Sequence, residues 1–576
     1  MKMRSRRSLT CAAVVFGLLA CSDRSITRSV LAHEPASGGR PNASTSRVPA
    51  ADIASAIRAA LVDGRSLRSP FTPRSQGQLI DLYAAGGFAP LWVDNGGRPS
   101  RDARDALALL TAAATEGLDP EDYCASALTA LAASLDAVTL QTSEIAAFDL
   151  GLSANTLRYL RELHQGRIDP RAIGFRMSGP ADDHDFAGLL RSAVMSHRVP
   201  GLASDLTPQL ALYGALRDAL ARYRSLAADR GVQNPPLLAT TIRPGQPCTE
   251  LGELSRWLIA LGDLPARPEA GSSRYEGTIV EGVRHFQSRH GLDPDGVLGP
   301  ATRSALSIPL AKRVRQIELA LERLRWVPDL SQGRLIAVDI PMFRLWAWSS
   351  IRPDGVPSFS TGVIVGRALN RQTPVFVDEM RYLIFRPYWN VPRSIAVGEI
   401  LPALRRDPDY LRRQDMEIVS GHGDDARPVA LSAASLTAVR QGVLRIRQRP
   451  GPKNALGLVK FVFPNDNNVY LHDTPSPQLF RRSRRDFSHG CVRVENAVAL
   501  AEWALQGQDE WTRDTILAAM NASESRRVDL ARPIQIILFY ITVIVTPEDG
   551  AVRFAEDIYG HDARLGRALG FDRTSP

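Results

Sequence analysis

Lysine is nearly absent from this chain. Only Lys2, Lys312, Lys453 and Lys460 occur in 576 residues, so the 70 basic residues that outnumber 61 acidic ones are almost all arginine. Such a bias follows genome composition as readily as it marks a binding surface. No nucleic-acid module accompanies the net charge of +9, which is compatible with an anionic partner and gives no support for nucleic acid. Cysteine is scarce too, five in all, and none forms the paired Cys-x-x-Cys spacing of a closed structural zinc site. Beyond the N-terminus no apolar run reaches membrane-spanning length. The longest, Ile534 to Val545, contains Gln535 and Thr542, and its Ile, Val, Phe and Tyr content reads as a buried strand.

What is present is enough apolar residue, 44%, to bury a core in each of two to four domains. The N-terminus MKMRSRRSLTCAAVVFGLLACSDRS has Lys2, Arg4, Arg6 and Arg7, then an apolar run, then small residues, the pattern of an export signal. Leu18-Leu19-Ala20-Cys21 resembles a lipoprotein signal-peptidase box, so Cys21 is a candidate for the first mature residue and for a lipid anchor, and Ser22 after it favours sorting to the outer membrane. An ordinary cleaved signal is the alternative, and the pair Arg6-Arg7 poorly matches a twin-arginine signal. With Cys11 and Cys21 in the signal, Cys124, Cys248 and Cys491 remain. Cys124 and Cys248 are able to pair in an oxidising compartment, which leaves Cys491 as an odd thiol that needs a reason.

After a tether rich in Ser, Arg, Ala, Pro and Gly, residues 51 to about 238 place apolar side chains at spacings of three and four, as in RDARDALALLTAAATEGL and ALYGALRDALARYRSLAADRG. Several of these helices end at Gly. No chemical constellation or fixed-period repeat appears there, and a helical scaffold is the reading. Residues 246 to 308 carry EGVRHFQSRHGLDPDGVLGPATRSAL, with Phe286, Gln287, His290, Gly291, Leu292, Asp295, Gly296, Gly299, Thr302, Ala305 and Leu306 in the order of a peptidoglycan-binding three-helix module, which the segment resembles. The glycines are expected at positive backbone angles and the Phe and Leu in the core. From about 335 the texture changes to strands: RLIAVDIPMFRLWAW, TGVIVG, PVFVDEMRYLIFRPYW and VKFVFPNDNNVYLHD. A charged, helical insert from about 396 to 447 interrupts them, in position to act as a cap.

The stretch LHDTPSPQLFRRSRRDFSHGCVRVEN, Leu471 to Asn496, holds the odd thiol. A thiol in a short segment with polar flanks is easier to explain if it reacts than if it packs. A thiolate nucleophile needs a base within reach and amide donors for a tetrahedral oxyanion. His472 is far enough upstream for a loop to return its imidazole to Cys491, Gly490 clears space for an acyl group, and the amides of Gly490 and Cys491 are candidate oxyanion donors. Together these suggest acyl transfer. The upstream His followed by Ser488, His489, Gly490, Cys491 and Arg493 resembles the signature of the L,D-transpeptidase catalytic domain, and MRYLIFRPYWNVP, PGPKNALGLVKFVFPN and VYLHDTP extend the likeness to the large scaffolded periplasmic subgroup, over roughly residues 55 to 570.

The resemblance implies an α+β multidomain architecture: signal peptide 1–21, flexible linker 22–50, helical scaffold 51–245, peptidoglycan-binding-like module 246–308, linking helix 309–334, β-rich catalytic domain 335–530 with its helical capping insert at about 396–447, and a C-terminal strand and tail 531–576. It implies that Cys491 attacks the bond between meso-diaminopimelate and D-alanine in a peptidoglycan tetrapeptide stem. His472 is then the base, oriented by a backbone carbonyl. His489, Gly490 and Arg493 shape the oxyanion and acceptor side with Ser488 in support, and Tyr388, Trp389 and Asn390 line the substrate cleft or, equally, end a strand. Asp473 reads as a turn former. No cofactor or metal is called for, and the location implied is the periplasm. Zinc held by His472, His489 and Cys491 lacks a visible fourth ligand. L,D-carboxypeptidase activity, D-amino-acid exchange, and a non-catalytic wall-binding lipoprotein remain as alternatives.

Overall fold

The computed structural model describes residues 49–62, 73–137, 141–177, 184–232, 235–265, 273–328, 330, 333–350, 354–369, 371–421 and 426–571. The signal, Cys11 and Cys21, and nearly all of the tether lie outside these residues. Among the described residues no helix is long and apolar enough to cross a membrane. The chain divides into two compact units: one of residues up to 169 with 178–225 and 317–328, the other of 170–177, 226–316 and 329 onward.

The first unit is helical. Its helix Ala50–Val62 buries Ile53, Ile57 and Leu61, one residue per turn, which is the stripe that spacing four produces. The 24-residue helix Thr142–Gln165 is buried along most of its length. Burial of Asp149 on it is tolerated because Leu91 N, Trp92 N and the Tyr83 hydroxyl all donate to its carboxylate. Desolvation still pushes Asp149 up to about 6. Residues 317–328 join this unit through Arg325, whose guanidinium bonds Glu322 at 3.1 Å and the Tyr213 hydroxyl at 3.0 Å. The helix Leu310–Leu324 is therefore shared between the units, and residues 226–245 group with the second, so the compact units do not follow the sequence order of scaffold and linker.

In the second unit, helices Leu251–Leu261, Thr278–Arg289 and Pro300–Leu306 form the small module. Its sequence pattern has a local cause. The buried Gln287 amide donates to Asp295 Oδ1, Val297 O and Thr302 Oγ1 and accepts from Gly296 N, so one side chain pins the whole turn to the helix. Gly296 sits at φ +74°, where an added Cβ would lie 2.8 Å from Val280 Cγ1. Gly291 is also left-handed, but Gly299 is not: it is extended at φ −77° and serves as the N-cap of a helix with Pro at its start.

The strands, in chain order, are β1 Leu335–Asp339, β2 Arg344–Trp348, β3 Phe359–Gly366, β4 Phe376–Phe385, β5 Trp389–Asn390, β6 Met416–Ser420, β7 Arg427–Val429, β8 Arg445–Gln448, β9 Val459–Val462, β10 Leu471–His472, β11 Asp486–Ser488, β12 Val492–Val494, β13 Arg526–Phe539, β14 Val543–Val545 and β15 Val552–Phe554. Nine of them form one mixed sheet in the order β11-β3-β12-β10-β9-β4-β13-β1-β2. Because β2 also pairs with β3, eight of these strands close on themselves and bury their inner faces without a free edge. The boundary expected at 530/531 falls inside β13, which is paired on both sides, with β1 and with β4, and is no appendage.

The insert is also not simply helical. After the short helices between Arg393 and Arg413, strands β6, β7 and β8 join β5 in a separate four-stranded sheet, order β5-β8-β6-β7. Val391, Ile400, Leu404, Ile418, Val439 and Ile446 give it a core of its own. Trp389 and Asn390 thus belong to the sheet of the insert.

Candidate active site

Strands β9, β10 and β12 lie side by side, with β10 antiparallel to β9 and parallel to β12. Their register sets Lys460, His472 and Arg493 in one row across the sheet. Side chains alternate along a strand, so Tyr470 and Cys491, each two residues before a member of this row, present to the same face. Polar groups from three strands thereby surround one sulfur.

Cys491 is half-buried. Its sulfur is hydrogen-bonded by the Tyr470 hydroxyl and backbone amide and stands 3.6 Å from Asn468 O. Trp389 in turn donates to the Tyr470 hydroxyl, and Lys460 Nζ lies 3.7 Å from the Tyr470 ring centroid. Burial pushes the thiol up, while the two Tyr470 donors and the positive charges of Lys460 and Arg493 act in the opposite direction and stabilise the thiolate once it forms. Lys460 is itself held down by burial. Arg493 Nε is buried without an acceptor, a cation aimed into the site.

His472 is buried, and its Nδ1 is 2.5 Å from the Asp473 carbonyl, a backbone orienter, with the Leu456 carbonyl also contributing. Burial first, and then Arg493 and Lys460, lower it to about 3, so the resting imidazole is neutral. Its ring lies 5.7 Å from that of Tyr470. Among the described residues the hydrogen bonds of the sulfur go to Tyr470 and Asn468, so the resting state is a thiol beside a neutral imidazole.

The turn carrying the thiol is held from behind. Ser488 Oγ donates to Cys491 O at 2.5 Å and accepts from Gly490 N at 3.1 Å, while Thr373 Oγ1 donates to Gly490 O at 2.8 Å. Gly490 adopts φ +120°, and its Cα would lie 3.0 Å from any Cβ placed on Gly366, so two glycines meet where the backbone crosses.

Comparison with known proteins now bears on this geometry. Residues 333–516 match the family model described as "L,D-transpeptidase catalytic domain", residues 77–220 match "Scaffold domain", and residues 249–306 match "Putative peptidoglycan binding domain". The chain carries an L,D-transpeptidase catalytic domain. A Haemophilus influenzae protein named "Putative L,D-transpeptidase" is 32% identical over 266 residues, 45% of this chain, and the match spans about half of that relative, 51%.

Within the transpeptidase domain several expected residues stand elsewhere than the sequence suggested. Ser488 is 2% exposed and engaged by the turn, so it shapes the loop. The Gly490 amide is occupied by Ser488, which leaves the Cys491 amide as the free donor of that pair. Tyr388 lies against Arg447, 4.2 Å from ring centroid to guanidinium carbon, in the insert. Asn390 is exposed and registers with Arg447 on β8. Cys248 is a buried free thiol near Glu250, so a Cys124–Cys248 disulfide does not form. Among the described residues no group of three or more His, Cys, Asp or Glu side chains is arranged to hold a metal ion.

Four contributors were missed: Tyr470, Lys460, Glu399 and Thr373. Glu399, from the insert, accepts from His489 Nε2 at 2.9 Å and pairs with Arg371 at 2.6 Å. These contacts hold Glu399 below the usual carboxylate range despite some desolvation. His489 is thereby tied to the cap. Both contacts are half-exposed and together contribute about 1 kcal/mol, or about fivefold in an opening equilibrium. Glu399→Gln is expected to speed amide hydrogen exchange in residues 393–406 by about that factor; unchanged exchange there would show that the contact does not hold the cap.

Proposed function

We propose that the protein is a peptidoglycan L,D-transpeptidase. The Cys491 thiol gives its proton to His472 as the sulfur attacks the carbonyl between meso-diaminopimelate and D-alanine of a tetrapeptide stem. The C–N bond breaks, the proton passes to the departing amine, and D-alanine leaves a thioester on Cys491. An amine of a neighbouring stem then attacks, the C–S bond breaks, and the amine proton returns through His472 to sulfur. The thioester retains the energy of the cleaved peptide bond, so the new crosslink requires no nucleotide. The Cys491 amide is placed to donate to the oxyanion.

One observation carries this reading: a reachable thiol on which the Tyr470 hydroxyl and amide and the charges of Lys460 and Arg493 converge to favour the anion, with the neutral buried imidazole of His472 on the same face of the sheet. Export to the periplasm with lipid on Cys21 belongs to the same proposal, since the polymer lies outside the cytoplasmic membrane. Water or a free D-amino acid in place of the acceptor amine would give L,D-carboxypeptidase or exchange products from the same thioester. Mass spectrometry of muropeptides after incubation with the full chain separates these outcomes. A crosslinked dimer is the expected product; trimmed or exchanged monomers alone would replace transpeptidation with one of the other two, and unchanged muropeptides would leave only a wall-binding protein.

A further inference from the structure

Away from Cys491, a cavity of about 920 Å³ opens between residues 288–293 of the small module, the closed sheet, where β2, β3 and residues 480–485 line it, and the hairpin of β14 and β15 with the residues that follow it, to Ile558. Ser360 belongs to its wall and Gly366 touches Gly490, six residues apart on β3, so the cavity is on the order of 20 Å from the reacting sulfur. It is a second concavity.

Its charge is one-sided. Seven arginines and three carboxylates line it. Some of the arginines are neutralised: Arg289 by Asp263, Arg484 by Asp486 and Glu556, and Arg553 by Asp549. Arg344, Arg481 and Arg482 have no carboxylate within ion-pair distance among the described residues. Among the described residues Arg485 hydrogen-bonds the carbonyls of Phe480 and Phe343, its Nε is buried without an acceptor, and Glu495 attracts it from outside the cavity lining. Arg481, Arg482 and Arg485, joined by Arg344 from β2, repel one another, and the concave wall strengthens their combined field. Such an arrangement is stabilised by an anion. Phe343, Trp346 and Phe480 add apolar surface, which suits a chain of alternating carboxylates and aliphatic groups better than a compact ion.

We infer that this cavity binds the free carboxylates of a peptidoglycan stem peptide other than the one being cleaved. The choice of ligand rests on the wall-polymer reading above, and on the position of the cavity: its walls include the segment that matches the peptidoglycan-binding family and strands of the transpeptidase domain, with residues 544–558 completing it. A wall strand held here is gripped by both modules at once, and planar guanidinium groups match carboxylates in pairs.

The test uses the full chain carrying Cys491→Ala, so that binding is read without turnover, with isolated sacculi and phosphatidylglycerol vesicles as probes at about 150 mM salt. Arg481→Glu/Arg482→Glu, and separately Arg344→Glu, should each lower sacculus affinity, the double variant by about tenfold. Arg405→Glu/Arg406→Glu, the same charge change on the exposed end of helix Leu401–Arg406, should leave it within about twofold. In the Cys491 background, adduct formation with a carbapenem verifies that the variants are folded. Wild-type sacculus binding by both cavity variants overturns the inference, as does an equal loss in the Arg405/Arg406 control. Loss of vesicle binding with sacculus binding intact would assign the cavity to anionic lipid instead. Because crosslinking is never measured in this binding assay, a failure of the proposed transferase activity would appear only in the muropeptide experiment.

Discussion

Replacement of Cys491 by alanine is expected to abolish both the acyl-enzyme and its products: no carbapenem adduct by mass, and crosslinking of purified sacculi reduced by at least about 10³-fold. The size of the effect follows from the neighbourhood. The Tyr470 hydroxyl and amide and the charges of Lys460 and Arg493 favour the anion of the sulfur, the Asn468 carbonyl accepts from its thiol form, and none of these groups can itself form a thioester. Because burial raises the thiol and the imidazole beside it is neutral, the resting sulfur is protonated at neutral pH. Alkylation of Cys491 by iodoacetamide should therefore be slow at pH 7 and should continue to rise past pH 9, the ordinary thiol value. A titration that levels off near pH 6 would contradict a protonated resting sulfur, and crosslinking by the alanine variant would remove the nucleophile.

The parts of this site that could be read from the sequence are those that lie close together in it. Ser488 to Arg493 is one linear segment, and His472 is joined to it by parallel pairing of β10 with β12, so the candidate pair of His472 and Cys491 sits within about twenty residues. Tyr470 was within reach of the same argument, since period two places it on the face of His472, and Lys460, one of four lysines in the chain, ends up beside both. Glu399 was not: it lies 90 residues from His489, and periodicity says nothing about which distant element docks on a loop. The same limit explains the fold. The strand character of Ile534 onward was plain from its β-branched residues, but its place between β1 and β4 depends on pairing across some two hundred residues, which local pattern does not encode. In the insert, the charged helical segment from Glu399 to Arg413 set the reading for all of it, whereas Arg445–Gln448 alternates arginines with Ile446, which faces a small core, and pairs as a strand with β6 and β5.

His472→Asn is expected to reduce crosslinking by about 10²–10⁴-fold, the usual contribution of a positioned general base. Asparagine can still donate toward the Asp473 carbonyl, so the fold of β10 should survive, and a second measurement separates the base from a structural role. The imidazole is neutral in the folded state down to about pH 3, whereas in the unfolded chain it takes up its proton near 6.5. Between these values the unfolded state binds one more proton than the folded state, so stability rises with pH through that window. The contribution is complete above 6.5 and is lost as pH falls toward 3; at pH 5 the loss amounts to about 2 kcal/mol. For a domain of this size that corresponds to a further ~4–8 °C lowering of Tm between pH 7 and pH 5 in the wild type compared with His472→Asn. Equal shifts in the two proteins would mean that His472 is protonated near neutrality, and then Lys460 and Arg493 could not be packed against it as the strand register requires.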